Sequence, residues 1–294
     1  MEHVTVKDLV LGSGGVLVSG SEEAPVSHIR LDSRQVEPGD LFVPLLGERV
    51  DSHRFLPQVM DQGAAAVLTS QELTLPEGGA GCAVIRVEDT KKALQKIGSY
   101  LRDRLTLPLV GVTGSVGKTT TREMIAAALS ARFRVYKTPG NSNSQVGVPV
   151  TLSEITENDQ VGVIELGMSE PGEMTVIANI ARVDMAVITN IGITHIGQLG
   201  SQENILREKL HITDGMKDGG LLILNGDDPL LKGVQGREGL RTVYYGTGEN
   251  CDFRAVDICF EDGFPSFTAV HGADRQRVRL NVMGQHNVMN AMAA

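Results

Sequence analysis

The run Gly111-Val112-Thr113-Gly114-Ser115-Val116-Gly117-Lys118-Thr119-Thr120 follows the apolar stretch Leu107-Pro108-Leu109-Val110 and precedes a helical pattern. Glycines in such a turn let several backbone N–H groups converge on phosphate oxygens. Lys118 brings a positive charge to the terminal phosphates, and the Thr119 hydroxyl is a candidate Mg2+ ligand. The plain phosphate-loop spacing would place glycine where this chain has Val112, so the run is the narrower pattern G-x-T-G-S-x-G-K-T-T. It predicts nucleoside triphosphate binding through Gly114, Ser115, Gly117, Lys118, Thr119 and Thr120.

Further along, Glu165 closes the apolar run Val161-Gly162-Val163-Ile164, where a carboxylate can hold Mg2+ directly or through water. His195 follows the strand candidate Ala186-Val187-Ile188-Thr189. Lys209 lies four residues after Ile205 and three after Leu206, on the apolar face of a helix beginning near Ser201. A lysine there either snorkels outward or is chemically special, because burial lowers its pKa and a neutral amine reacts with carbon dioxide to give a carbamate. The amide-rich segment Pro139 to Pro149, with Asn141 and Asn143, suits a polar substrate, although turn chemistry alone would also produce it. Asn287 and Asn290, three apart at a helix start, suit either a purine edge or a helix cap.

The elements that must position these residues alternate. Strand candidates at Val16–Val18, His28–Leu31, Asp40–Val43, Ala64–Leu68 and Val84–Val87 describe a small α/β domain over residues 1–86. Apolar residues at Ala93, Leu94, Ile97 and Leu101 predict a helix from Thr90 to Arg104 that opens a second domain, residues 87–294. There strands near 107–112, 161–166, 185–189 and 221–224 alternate with helices from Thr119, Gly172 and Ser201. That order predicts a mainly parallel sheet flanked by helices, with ligands at the carboxyl ends of its strands. Beyond Gly246 the pattern turns to short alternating strands. The chain stops at Ala294 inside an apolar helix start, as a shortened chain would.

A net charge of −9 argues against nucleic acid or an acidic membrane surface as a partner, so anionic ligands must be held by local devices. Cys82, Cys251 and Cys259 form no CxxC pair, so the sequence indicates neither a disulfide framework nor a zinc site. With no secretory signal and no apolar stretch approaching a membrane span, a cytoplasmic monomer is expected.

Together these segments resemble the ATP-dependent Mur ligases of bacterial cell-wall synthesis, over nearly the whole chain. The resemblance runs through residues 113–120, Glu165, His195, Lys209 and the segment Gly284-Gln285-His286-Asn287 to Asn290. Asp32 to Val43 and Asp51 to Phe55 resemble the family's UDP-binding N-terminal domain. Glu165 to Glu173 and Gly140 to Asn143 resemble the branch that adds D-alanyl-D-alanine to UDP-N-acetylmuramoyl-tripeptide. The resemblance implies ATP as substrate and two Mg2+ ions, with Lys118, His195 and Lys209 catalytic. Thr119 and Glu165 would hold one ion, and His195 and a carbamylated Lys209 would serve the other. It also implies that Asn287 and Asn290 lie near the adenine, and that Ser33, Arg34, Asn141 and Asn143 face the UDP-linked substrate. Family members carry a further C-terminal domain with no counterpart here, so weak binding and little turnover are expected. Rival readings are the tripeptide-forming sister ligase, a folate-type relative and a noncatalytic nucleotide-binding scaffold. The region at Asp32-Ser33-Arg34 argues against folate, and the full set of metal-binding candidates argues against the scaffold.

Overall fold

Short apolar strands broken by turn residues build a five-stranded sheet in the computed structural model, which describes residues 1, 3–47, 50–72 and 81–294. Its elements are α1 (Val6–Ser13), β1 (Val16–Ser19), β2 (Ile29–Arg30), β3 (Leu41–Phe42), α2 (Leu56–Asp61), β4 (Ala66–Thr69), β5 (Ala83–Arg86) and α3 (Thr90–Arg104). The strand order is β1-β5-β4-β3-β2, with β1 antiparallel to β5 and the other pairs parallel. Ile29, Leu41, Ala66, Leu68, Ala83 and Ile85 supply one buried face.

The helix α3 begins where expected, with the Asp89 carboxylate accepting from Lys92 N at 2.9 Å. It does not open a second domain. Ala93, Leu94, Ile97 and Leu101 are buried in the same core as Leu68 and Ile85. Burying side chains such as Leu94 and Ile97 contributes about 1.5–3 kcal/mol each, which binds the helix to this core. Tyr100 Oη donates to Asp8 of α1 at 2.9 Å, and Arg104 pairs with the same carboxylate at 3.0 Å. The first compact unit therefore comprises Met1–Thr106 together with Gln145–Glu157, rather than residues 1–86. Periodicity exposes an apolar stripe but not which sheet it faces.

The remaining chain, Leu107–Ser144 and Asn158–Ala294, forms the second unit. After β6 (Leu109–Thr113), α4 (Lys118–Leu129) and β7 (Val135–Lys137), the chain returns to the first unit for α5 (Gly147–Ser153). There His28 Nδ1 lies 3.1 Å from Glu154 Oε1, and Gln95 Nε2 donates to Gln145 Oε1 at 3.1 Å. The second unit resumes with β8 (Val161–Glu165), α6 (Glu173–Ala181), β9 (Met185–Ile188), α7 (Ile196–Leu199) and α8 (Gln202–Leu210). It ends with β10 (Leu221–Asn225), β11 (Arg241–Gly246), β12 (Phe253–Glu261), β13 (Phe264–His271), β14 (Asp274–Arg279) and α9 (His286–Met292).

These strands form one nine-stranded sheet ordered β14-β13-β12-β11-β10-β9-β6-β8-β7. From β12 to β7 every pair is parallel, whereas β13 pairs antiparallel with both β12 and β14 and extends the same sheet. The strand β6 is buried throughout and reads as a nearly continuous apolar run, as a central parallel strand should. Its parallel register pairs Val112 with Glu165 and Thr113 with Ile188. One end of the sheet thus carries the phosphate loop after β6, Glu165 at the end of β8, and the segments following β7, β9 and β10.

Candidate active site

The phosphate loop joins β6 to α4, and its shape depends on two glycines. Gly117, at φ +82°, is the residue before the first turn of α4, and Gly114 lies at φ +150°, where other residues are strained. A Cβ on Gly114 would fall 1.9 Å from Thr189 Oγ1. The helix α4 starts at Lys118, so the N–H groups of residues 117–120 have no intrahelical acceptor and carry the positive end of the helix dipole. Such a helix end suits an anion.

A cavity of about 450 Å3 opens in front of these amides, lined by residues 117–120 together with Asn141, Asn143 and Glu165. Glu165 is only 2% exposed. Its Oε2 accepts from Thr119 Oγ1 at 2.9 Å, its Oε1 accepts from Asn143 Nδ2 at 2.8 Å, and its N–H donates to Thr138 Oγ1 at 3.0 Å. Cis oxygens around an octahedral Mg2+ with bonds of about 2.0–2.1 Å lie about 2.9 Å apart. Thr119 Oγ1 and Glu165 Oε2 already have that spacing, so the pair fits one Mg2+.

Of the cations around the carboxylate, Arg122 is buried and Lys118 half-buried. Lys118 Nζ donates to Gly114 O at 3.0 Å, and burial lowers its pKa while Glu165 opposes the shift. Arg122, one helical turn beyond Lys118, donates through Nη1 to Gly140 O at 3.0 Å and lies 3.5 Å from Glu165 Oε2. It ties the asparagine-bearing loop to the carboxylate. The sequence reading missed it, although the i, i+4 spacing from Lys118 places both residues on one face of α4.

Lys209 does not snorkel: it is 2% exposed on the buried face of α8 beside Ile205. Its pKa is pushed down to about 7, first by burial and then by the Lys118 ammonium, with Glu208 opposing. Among the described residues its side chain forms no hydrogen bond or ion pair. Repulsion between the Lys118 and Lys209 ammonium groups is relieved by an anionic ligand close to them.

The other expected site residues are more dispersed. His195 is half-buried at φ +65°, before α7, and does not line the cavity. Among the described residues, no three His, Cys, Asp or Glu side chains come together as a metal-binding group. Ser115 is buried, with its N–H donating to Asn190 O at 3.0 Å and its Oγ accepting from Gly192 N at 2.8 Å. Asn290 Oδ1 accepts from Thr121 Oγ1 at 3.2 Å and Asn290 Nδ2 donates to Asn287 Oδ1 at 2.9 Å. Asn287 Nδ2 donates in turn to Met283 O at 2.7 Å. Asn287 and Asn290 are 6% and 8% exposed; Asn290 ties α9 to α4, and a Cβ on Gly117 would fall 2.9 Å from Asn290 Oδ1.

In the first unit, Ser33 is buried at the start of a short 3-10 turn and Arg34 is exposed. Arg34 forms a bidentate pair with Asp32, which holds the Asp32 carboxyl down at about 2.

Two family models match this chain, "Mur ligase middle domain" over residues 112–294 and "Mur ligase family, catalytic domain" over residues 25–101. A Bacillus subtilis protein named UDP-N-acetylmuramoyl-tripeptide--D-alanyl-D-alanine ligase is 41% identical over 291 residues, covering 99% of this chain and 62% of that protein. A crystal structure of MurF from Acinetobacter baumannii aligns with a TM-score of 0.90 at 32% identity, covering 98% of this chain and 63% of that one. A MurF ligase from Thermotoga maritima, solved in complex with ADP, aligns at 0.81 and 28% identity over 91% of this chain and 61% of that one. This chain spans about three-fifths of the length of each of these relatives.

Proposed function

This chain belongs to the Mur ligase family, and from that premise we propose that it carries the nucleotide- and UDP-substrate-binding units of a peptidoglycan-precursor ligase. The reaction is the ATP-dependent joining of D-alanyl-D-alanine to UDP-N-acetylmuramoyl-tripeptide in the cytoplasm. The observation that carries this reading is the convergence of the α4 amides, Lys118, Thr119 and Glu165 on one cavity. The Bacillus subtilis relative supports the choice of peptide and dipeptide.

In this reaction the terminal carboxylate of the tripeptide attacks the γ-phosphate of ATP, giving an acyl phosphate and ADP. The amine of D-alanyl-D-alanine then attacks the acyl carbon, and phosphate leaves as the amide forms. Both steps gather negative charge, so electrostatic positioning supplies most of the catalysis. The amides of α4 and Lys118 hold the β- and γ-phosphates. Thr119 and Glu165 would hold a Mg2+, which neutralises charge on the transferring phosphoryl group.

Asn143 keeps the Glu165 carboxylate aimed at that position, and Arg122 braces it from behind. A pKa of about 7 leaves much of Lys209 as neutral amine near pH 7. Its addition to carbon dioxide, with loss of a proton, gives a carbamate whose oxygens suit a second Mg2+. His195 would serve as that ion's neighbour, since Mg2+ favours oxygen donors. Ser33, Arg34, Asn141 and Asn143 would contact the UDP-linked peptide, and Asn287 and Asn290 would shape the adenine side.

Calorimetric titration with ATP and Mg2+ tests the nucleotide half of this reading. The parent chain is expected to bind saturably and Lys118→Ala to bind at least about tenfold more weakly with its fold intact. Equal binding by the two would sink it.

A further inference from the structure

The mid-loop amides of the phosphate loop are already committed. Asn190, two residues after β9, accepts from Ser115 N through its backbone carbonyl at 3.0 Å. Its side chain brackets Val116, accepting from Val116 N through Oδ1 at 3.1 Å and donating through Nδ2 to Val116 O at 2.9 Å. Thr189 Oγ1 donates to the same carbonyl at 2.7 Å. The two middle amides of the loop therefore point at Asn190, and the amides left for an anion are those of residues 117–120.

The residues on either side of Asn190 are held by the last residue of β10 and by the segment that follows it. Asn225 Nδ2 donates to Thr189 O at 2.9 Å, and Asp228 Oδ2 accepts from Ile191 N at 2.8 Å. Asp228 is fixed in turn, its Oδ1 accepting from Leu230 N at 2.9 Å and Leu231 N at 3.1 Å. A chain of short, directional contacts thus runs from the end of β10, past β9, to the turn between Gly114 and Gly117. Asn190 and Val116 are 74 residues apart in sequence, so this is tertiary design rather than local turn chemistry.

We propose that Asn190, anchored by Asn225 and Asp228, is the positioning residue of the phosphate loop, fixing which backbone amides face the phosphates. The inference rests on the nucleotide-binding reading above. Removing the Asn190 side chain frees Val116 to rotate, so the loop samples conformations in which the α4 amides no longer converge. Affinity for phosphates falls by the fraction of loops out of place.

The test compares the parent chain with Asn190→Ala, Asn190→Asp and Asp228→Ala. Asn190→Asp keeps size and acceptor but loses the donor to Val116 O, so it preserves the measurement if the alanine variant fails to fold. Binding of ATP with Mg2+ and of inorganic triphosphate is measured by calorimetry, alongside amide hydrogen exchange at Ser115 and Val116. Each variant is expected to lose about 5–30-fold in affinity for both ligands, as for one or two unmade hydrogen bonds. The Val116 amide is expected to exchange faster while amides within β6 and β9 keep their protection, a pattern that general destabilisation does not produce. Variants that bind both ligands within about threefold of the parent, while Lys118→Ala has lost them, overturn this inference and leave the nucleotide-binding reading standing. A parent chain that binds neither ligand overturns both.

Discussion

Asn143 lies against the backbone of Gly167: a Cβ on that glycine would fall 2.9 Å from the Asn143 amide carbon, and Gly167 N donates to Asn143 O at 2.8 Å. The same asparagine donates to Glu165 two residues earlier. The Glu165-Leu166-Gly167 stretch is therefore a local fit, with the glycine making room for the amide that aims the carboxylate.

Gly167→Ala is accordingly expected to displace Asn143 and loosen Glu165. The measurement is affinity for ATP with and without Mg2+. The Mg2+-dependent part should fall about tenfold while the metal-free affinity changes little. An unchanged Mg2+ dependence would show that Asn143 does not aim the carboxylate.

Glu165→Gln removes the charge but keeps the shape and an acceptor oxygen. Because Thr119 Oγ1 and Glu165 Oε2 have the spacing of neighbouring Mg2+ ligands, this variant should bind ATP about equally with and without Mg2+. Thr119→Val should show the same loss, and Thr119→Ser should retain the Mg2+ effect. Parent-like Mg2+ enhancement in Glu165→Gln would remove the carboxylate from the metal site.

Lys209 makes stability depend on pH with a definite sign. Its folded pKa is about 7 against an ordinary 10.5, so between those values the unfolded chain binds a proton that the folded chain does not. Stability through this group rises as pH increases across that window and is lowest below about 7. Lys209→Met is expected to stabilise the chain by about 1–4 kcal/mol at pH 6, with the advantage shrinking toward pH 10. Thermal unfolding of both proteins from pH 6 to 10 measures it. An advantage that grows with pH would contradict a buried, depressed lysine.

Much of this arrangement is legible in the residues themselves. The phosphate loop and the start of α8, where Ser201 Oγ accepts from Asn204 N, follow from short-range rules that act over one turn of chain. Other features depend on partners far away in sequence. The helix α5 was hidden inside a loop because Gly147 and Pro149 read as turn residues, whereas both sit in its first turn, where a proline is tolerated. Arg122, Asn190 and Asp228 are ordinary polar residues until the parallel register brings β6, β8, β9 and β10 to one rim. The side chains of Asn287 and Asn290 match a nucleotide-binding pattern, yet their hydrogen bonds run to each other, to Thr121 and to Met283. Local sequence identifies the residue types; the sheet order decides which of them meet.

The most direct test of the whole account is calorimetric titration of this chain with UDP-N-acetylmuramoyl-tripeptide, with the corresponding dipeptide as control. Saturable binding that prefers the tripeptide by at least about tenfold is the expected result, and it would assign the peptide substrate to these two units. Equal affinity for the two, or a preference for the dipeptide, would contradict the assignment and point to the tripeptide-forming reaction instead.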